Sequence, residues 1–288
     1  MDYRHKKAVD VVRLPDAFVE EKRLKCAPCS TCKQLVLAHS SENDSYKNDK
    51  KGVFIKKGLD SDIVAFSMED DQGNVLANLG DVAIFPNDDL AVGFVYDWQQ
   101  VYNVHGPGCY KIKVNFTIAG IVGDYTIGTY TLKKYSIENA RHTVRIFSKL
   151  NSASLKYNID FTDSNFVDSV RFNGFFGNRQ PNTEINQLIN KGRISDKVTR
   201  ENLNTYKLRT DPINICYTKQ ILELHLLHED ELFVSDHNAS NHDYNIFDKK
   251  VVLEDSAEVI YTDGNRKAKI EATFSDRSKV DKSYYNKK

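Results

Sequence analysis

From Cys109 to Ile118 apolar and polar residues alternate without interruption. Tyr110, Ile112, Val114, Phe116 and Ile118 fall on one side of an extended chain, and Lys111, Lys113, Asn115 and Thr117 on the other. A period of two with a wholly polar side predicts a half-buried strand of an antiparallel sheet, packed on a core through one face. Much of the chain follows the same rule. KQLVLAH, VFIKKG, DIVAFSMED and NVLANLGDVAIF read as strands, with a hairpin turn at Asp71–Asn74. LAVGFVYDWQQVYN is a further aromatic stretch, and the GPG at 106–108 breaks the chain before the alternating strand. GDYTIGTYTLKKYSI changes phase near Gly128, which marks a bulge, and SIENARHTVRIF passes through a polar bend into another strand. The strand candidates between residues 33 and 147 are spaced as in a β-sandwich.

In the second half LKYNIDF, SVRFNGFFG, KVTRENLNTYKLRT, ELFVSD, KKVVLED, AEVIYTD and KAKIEATFSD are strand candidates, and Asp263-Gly264 is a two-residue hairpin signal. One helix interrupts them. Asp211 can cap it, Pro212 suits its first position, and Ile213, Tyr217, Ile221, Leu224 and His228 share a stripe at helical spacing. The competing pattern is a strand, in which Leu222, Leu224 and Leu226 alternate with Glu223 and His225. The expected fold is mainly β: two tandem antiparallel β-sandwich domains, Ig-like or jelly-roll-like, with one helix in the second. Residues 1–32 form an N-terminal arm carrying a cysteine cluster, 33–137 the first sandwich, and 138–288 the second with a C-terminal tail. The polar run SSENDSYKNDKKG reads as a mobile loop.

Composition narrows the function classes. Lys plus Arg and Asp plus Glu both number 40 in a chain of 288 residues. That balance disfavours nucleic-acid binding as the main task, because phosphate neutralisation calls for a basic excess. Fifteen Tyr and fifteen Phe against one Trp suit sheet cores. The N-terminus MDYRHKKAVDVV has no apolar segment of a secretory signal, and no apolar run approaches membrane-spanning length. The expectation is a soluble chain made in a reducing cytoplasm.

Candidate chemistry is sparse. Cys26, Cys29 and Cys32 form C-x2-C-x2-C, but tetrahedral zinc needs a fourth ligand, which His39, Cys109 or Cys216 would have to supply through folding. The ordinary alternative is reduced thiols, and no metal or cofactor is expected. His237, His242, Asp236 and Asp243 crowd into SDHNASNHDYN, dense enough for a divalent ion but equally an ordinary turn-rich loop. His225, His228 and Glu229 do not make an H-E-x-x-H zinc motif, and histidines at a helix C-terminus, near its carbonyl ends, are the simpler account. P-loop, dinucleotide-binding and nucleophile-elbow signatures are absent from the sequence. Tyr96, Trp98 and Tyr102 could form a sugar-stacking platform on a lectin-like sandwich, or lie in its core.

Two stretches carry a resemblance. NLGDVAIF, FVYDWQQVYNVHGPGCYKIKVNFTI and YTLKKYSIENARHTVRI, and then ILELHLLHEDELFVSDHN with NIFDKKVVLED, resemble structural proteins of tailed phages of Bacteroidetes, including crAss-like phages. The resemblance covers about half of the chain. It implies a virion component, a ring or adaptor protein of the neck or tail, with tandem β-sandwiches and no catalytic residues. The implied partners are further copies of the chain and the portal and other neck or tail proteins. The implied location is the virion. A carbohydrate-binding module is the alternative. Open sheet edges would join neighbouring subunits, and the arm at 1–24 and the loop at 43–51 would order on contact.

Overall fold

The alternating segment is strand β7 (Gly108–Ile118), and its apolar side is the buried one. The computed structural model describes residues 33–39, 48–60, 62–118, 121–154, 157–189, 195–227, 231–238, 246–254, 257–262 and 267–276. The protein is mainly β, as the alternation predicts. β7 pairs antiparallel with β8 (Ile121–Lys134) and β3 (Ile63–Glu69). β1 (Lys33–Ala38) runs parallel beyond β8, and β4 (Val75–Leu76) lies beyond β3. A second sheet has the order β2-β6-β5, from Lys50–Lys56, Ala91–Asp97 and Gly80–Ala83. Met68, Tyr110, Ile112 and Tyr130 of the first sheet meet Val53 and Tyr96 of the second, which is the face-to-face packing of a sandwich. The bulge expected near Gly128 is present, with Ile127 as the extra residue opposite Ile112 and Lys113.

Two segments read as continuous are divided. NVLANLGDVAIF breaks at Gly80, so that β4 stays with β3 while β5 crosses to the second sheet. Gly80 has φ +145°, and a Cβ there would stand 2.0 Å from the Val95 carbonyl oxygen, so no other residue fits this corner. The aromatic stretch splits at Asp97, whose Oδ1 accepts from the amides of Gln99 (2.9 Å) and Gln100 (3.4 Å). That cap starts helix α1 (Trp98–His105), which buries Trp98 and Val101 against the first core.

Strand β2 is buried on both faces, which explains why Val53, Phe54 and Ile55 are consecutive rather than alternating. Away from the sandwich core, Phe54, Phe85 and Val95 pack on Tyr157, Phe161 and Phe166. Phe54 meets those three rings edge-on, with centroids 5.3–5.4 Å apart. These partners come from beyond residue 137, so an aromatic core bridges the two halves of the chain. A short helix, α2 (Ile137–Ala140), capped by Ser136, and the pair β10 (Ala153–Ser154) with β11 (Ile159–Asp160) connect them.

The sheet of the second half closes on itself. β9 (Thr143–Lys149), β12 (Val167–Ile189), β13 (Ser195–Thr210), β15 (Glu231–Asp236), β16 (Lys249–Leu253) and β18 (Lys267–Asp276) follow the order β13-β12-β9-β15-β16-β18. β18 then pairs back to β13, giving a six-stranded antiparallel barrel. Closure removes the edges that an open sheet leaves. Inside are Ile146, Phe172, Phe176, Leu208, Val234 and Phe274. β14 (Ile213–Asn214) and β17 (Glu258–Tyr261) add to the flanks of β18. The turn at Asp263-Gly264 lies outside the described residues, but β17 and β18 on either side pair antiparallel as it predicts.

The expected helix exists but starts later. Ile213 pairs with Ala268 of β18, so Asp211 and Pro212 precede a strand, and helix α3 covers Ile215–Gln220. It continues as a π-helical turn, Ile221–Leu226, closed by the Leu227 amide donating to the Leu222 carbonyl at 2.9 Å. The wider turn buries Ile221 and Leu226 in the barrel, Leu224 in the aromatic core, and His225 between them.

Candidate functional site

β9 and β12 are register partners at Arg145↔Arg171 and at Ser148↔Asp168. By the period of two, Ile146 and Val170 point into the barrel while both arginines point out, toward β1 and β2. In the sequence each arginine looks like an ordinary solvent-side residue of a strand. Both are instead buried, at 2% and 3% exposure. Two guanidinium groups side by side repel each other, and Asp49 resolves the conflict. Its Oδ2 lies 2.8 Å from Arg171 Nε, and its Oδ1 lies 2.9 Å from Arg171 Nη2 and 3.1 Å from Arg145 Nε. Arg145 also donates to Asp248 (2.9 Å) and to the Asn48 carbonyl (3.0 Å). Burial alone would raise the Asp49 carboxyl, but Arg171 and then Arg145 outweigh it and hold the group below the usual carboxylate range.

A second cluster centres on Asp168 at one end of the barrel. Its carboxylate accepts from Lys51 Nζ at 2.9 and 2.8 Å and from the Gly52 amide at 3.0 Å. His225 Nε2 stands 3.2 Å from Asp168 Oδ2, and His225 Nδ1 lies 2.9 Å from Ser148 Oγ. Burial pushes Asp168 up, and Lys51 and His225 more than reverse it. Serine, histidine and aspartate in a row suggest nucleophilic catalysis, but a triad needs its hydroxyl at a substrate-accessible surface. Here Ser148, Asp168 and His225 all have 0% exposure, and Lys51 occupies the carboxylate. The row instead clamps β2 to the barrel. Gly52 permits the approach, since a Cβ would lie 2.4 Å from the Phe166 ring and 2.5 Å from the Val167 carbonyl oxygen.

Side chains also bond backbone groups in or beside β1, β2 and β5. The Leu37 amide of β1 donates to Asp49 and the His39 amide to Asn48, each at 2.8 Å. Ser169 Oγ bonds both the amide and the carbonyl of Lys50 at 2.7 Å. Beside β5, Asn165 accepts from the Ile84 amide (2.8 Å) and donates to the Val82 carbonyl (3.1 Å). At these backbone groups pairing with a further strand is obstructed.

A ribbon extends beyond the barrel. β12 pairs with β9 only from Val167 to Asn173, and β13 pairs with β18 only from Thr205 to Arg209. Beyond the barrel β12 and β13 pair with each other for eight further positions, from Asn182↔Leu203 to Ile189↔Ser195. At ~3.3 Å per residue that is a projection of about 25 Å. Among the described residues no strand flanks it on either side.

The residues singled out in the sequence are dispersed. Cys26, Cys29, Cys32, His228, Glu229, His242 and Asp243 lie outside the described residues. Cys109 is half-buried on β7, opposite Thr131, and Cys216 falls within α3. No group of three or more metal-ligating side chains occurs among the described residues. Asp236 accepts from the amides of Phe176 (3.1 Å) and Asn238 (2.9 Å), so its oxygens are engaged in the fold. His225 stands in the last turn of the helical segment, as expected, and is buried there. Trp98 and Tyr96 have 0% exposure, and Tyr102 packs against the same core, so they form no sugar platform. Asn48, Asp49 and Lys51 are buried although their polar run has the composition of a loop, so no local signal marks them.

His237 belongs to an aromatic row, with Tyr135 at 5.8 Å and Phe247 at 5.3 Å, and His39 stacks on Tyr135 at 3.8 Å. Burial first, and the nearby Arg171 next, lower the His237 pKa to about 3. The fold therefore favours neutral imidazole, and its contribution to stability is complete above the ordinary value of 6.5 and lost as pH falls toward about 3. Asp49 and Asp168, held below 3.8, add a loss that begins lower. Urea midpoints should accordingly fall from pH 6.5 downward and fall faster below pH 4. Each extra proton taken by the unfolded chain is worth about 1.4 kcal/mol per pH unit. His237→Asn should flatten the upper part of the profile and leave the lower part, and an unchanged slope between pH 4 and 6 would refute the assignment.

No family model matches this chain, and no curated protein matches it.

Proposed function

We propose that this protein is a non-enzymatic structural subunit of a phage virion, a ring or adaptor component of the neck or tail. The observation that carries the reading is the contrast between a sealed body and a projecting ribbon. The body closes one sheet into a barrel, engages backbone groups in and beside β1, β2 and β5 with side chains, and buries the Asp49 and Asp168 ion pairs as internal clamps. The ribbon leaves backbone donors and acceptors to be met by a neighbour. The resemblance of NLGDVAIF through YTLKKYSIENARHTVRI to virion proteins of Bacteroidetes phages supports the same role. Its partners are then further copies of itself and the portal-side and tail proteins. Equal numbers of acidic and basic residues suit protein contacts better than DNA. The carbohydrate-binding alternative loses its basis with Trp98 and Tyr96 in the core.

The test is mass spectrometry of purified virions together with sizing of the purified protein, alone and co-expressed with portal and tail proteins. The expected result is the chain in virions and a defined oligomer or complex in solution. Absence from virions, with a monomer under every co-expression, would end the proposal.

A further inference from the structure

Lys51 on β2 and Asp168 on β12 are 117 residues apart in the chain, and both are buried where barrel and sandwich join, at 3% and 0% exposure. Lys51 Nζ is almost equidistant from the two carboxylate oxygens, 2.9 Å from Oδ1 and 2.8 Å from Oδ2. The nitrogen therefore stands about 3 Å from the carbon between them, the separation of a near-attack arrangement. The two oxygens have different further neighbours. Oδ1 accepts from the Gly52 amide at 3.0 Å. Oδ2 has His225 Nε2 at 3.2 Å, a buried nitrogen that makes no hydrogen bond of regular geometry. His225 Nδ1 is held by Ser148 Oγ at 2.9 Å. An amine, a carboxyl carbon, an amide donor on one oxygen and an imidazole at the other are the parts of an acyl transfer. We infer that Lys51 and Asp168 join in an intramolecular amide bond, which the chain forms by itself with loss of water.

Burial, which disqualifies Ser148 as a nucleophile toward an outside substrate, favours this reaction. A desolvated ion pair is costly whereas an amide carries no charge, and exclusion of water suppresses the reverse hydrolysis. One ammonium proton passes to Oδ2 along the 2.8 Å contact, leaving a neutral amine and a carboxylic acid. The amine lone pair forms the Nζ–Cγ bond, and the Gly52 N–H holds the negative charge that gathers on Oδ1. In the tautomer with its own proton on Nδ1, donated to Ser148, His225 takes a second proton from the nitrogen and hands it to Oδ2. The Cγ–Oδ2 bond breaks, and that oxygen leaves as water with two of the ammonium protons. The third stays on the amide nitrogen. The side chains are consumed once, so there is no turnover. The unlinked chain is held here by the ion pair, and the linked chain by the bond. The inference concerns the chain alone and does not depend on the assembly role.

The test is intact-mass spectrometry of the purified full-length chain in denaturant. The expected mass is one water, about 18 Da, below that of the sequence. A protease digest should contain one branched peptide that joins the Lys51 and Asp168 segments. Lys51→Arg keeps a cation opposite Asp168 but cannot close the bond, so its mass should equal that of its sequence. Cell-free synthesis quenched in acid at intervals follows the rate of linking. His225→Gln should slow it by at least about 100-fold, the lower end of what an acid–base group contributes. Ser148→Ala, which frees the ring, should slow it by a smaller factor. A wild-type chain still at full sequence mass after days at neutral pH overturns the bond. So does a water loss that persists in Lys51→Arg or maps to another site such as Asp263-Gly264. Linking of His225→Gln or Ser148→Ala at the wild-type rate overturns the part given to that residue. The wild-type mass and the branched peptide decide the bond even where a variant fails to fold.

Discussion

Asp49→Ala is expected to cost about 3–5 kcal/mol of unfolding free energy, the range for removing one partner from a buried ionic cluster. The size follows from what remains. Arg145 and Arg171 would face each other across a strand pair at 2% and 3% exposure, with their common carboxylate gone. The Leu37 amide would lose its acceptor too, weakening the seal on β1. Asp49→Asn should be nearly as harmful, since an amide can accept from Leu37 but cannot neutralise two guanidinium groups. Urea titration followed by far-UV circular dichroism measures the effect at constant m-value. A loss under about 1 kcal/mol would mean that the arginines do not depend on Asp49.

The second large effect is expected at Lys51 and Asp168. Asp168→Leu leaves the Lys51 ammonium in the junction without its carboxylate, and Lys51→Met leaves a buried carboxylate with only His225 and the Gly52 amide. Each single change should cost about 3–5 kcal/mol. The double variant should be less destabilised than Asp168→Leu alone, because a desolvated pair replaced by apolar side chains returns the cost of burying charge. Recovery should stop short of wild type by about 1–3 kcal/mol, since the Gly52 amide keeps no acceptor. Strict additivity of the two single changes would show that the groups do not act as a pair.

The strand pattern was legible wherever one face is wet. β3, β7, β9, β15, β16 and β18 lie where alternation or an apolar run predicts them, and the bulge beside Gly128 follows from its change of phase. Legibility failed where a local signal competes with a tertiary one. F-V-Y runs into Asp97 without a Gly or Pro to announce a break, although Asp97 itself is a good cap and Trp98 with Val101 is a helical pair. Pro212 looked like a helix start because nothing nearby reveals that Ile213 will pair with Ala268, more than fifty residues on. Barrel closure depends on β13 meeting β18, also a contact between distant segments. The ionic clusters were hidden for a related reason. Arg145 and Arg171 occupy polar positions of correct strands, and only the docking of β2 against them turns those positions inward. Asn48, Asp49 and Lys51 sit in a run that composition assigns to solvent. The row of Ser148, Asp168 and His225 could not have been chosen from the many residues of each type.

β12 is one continuous strand from the ionic junction to the tip of the ribbon. Asp168, Ser169 and Arg171 at its base are fastened to β2 and to Asp49 just before it, and its middle is stitched to β9 and β13. A tug on the tip therefore travels lengthwise and strains those fastenings all together instead of peeling them apart in succession. Tension applied along the ribbon would meet its stiffest resistance at the seam where barrel and sandwich join.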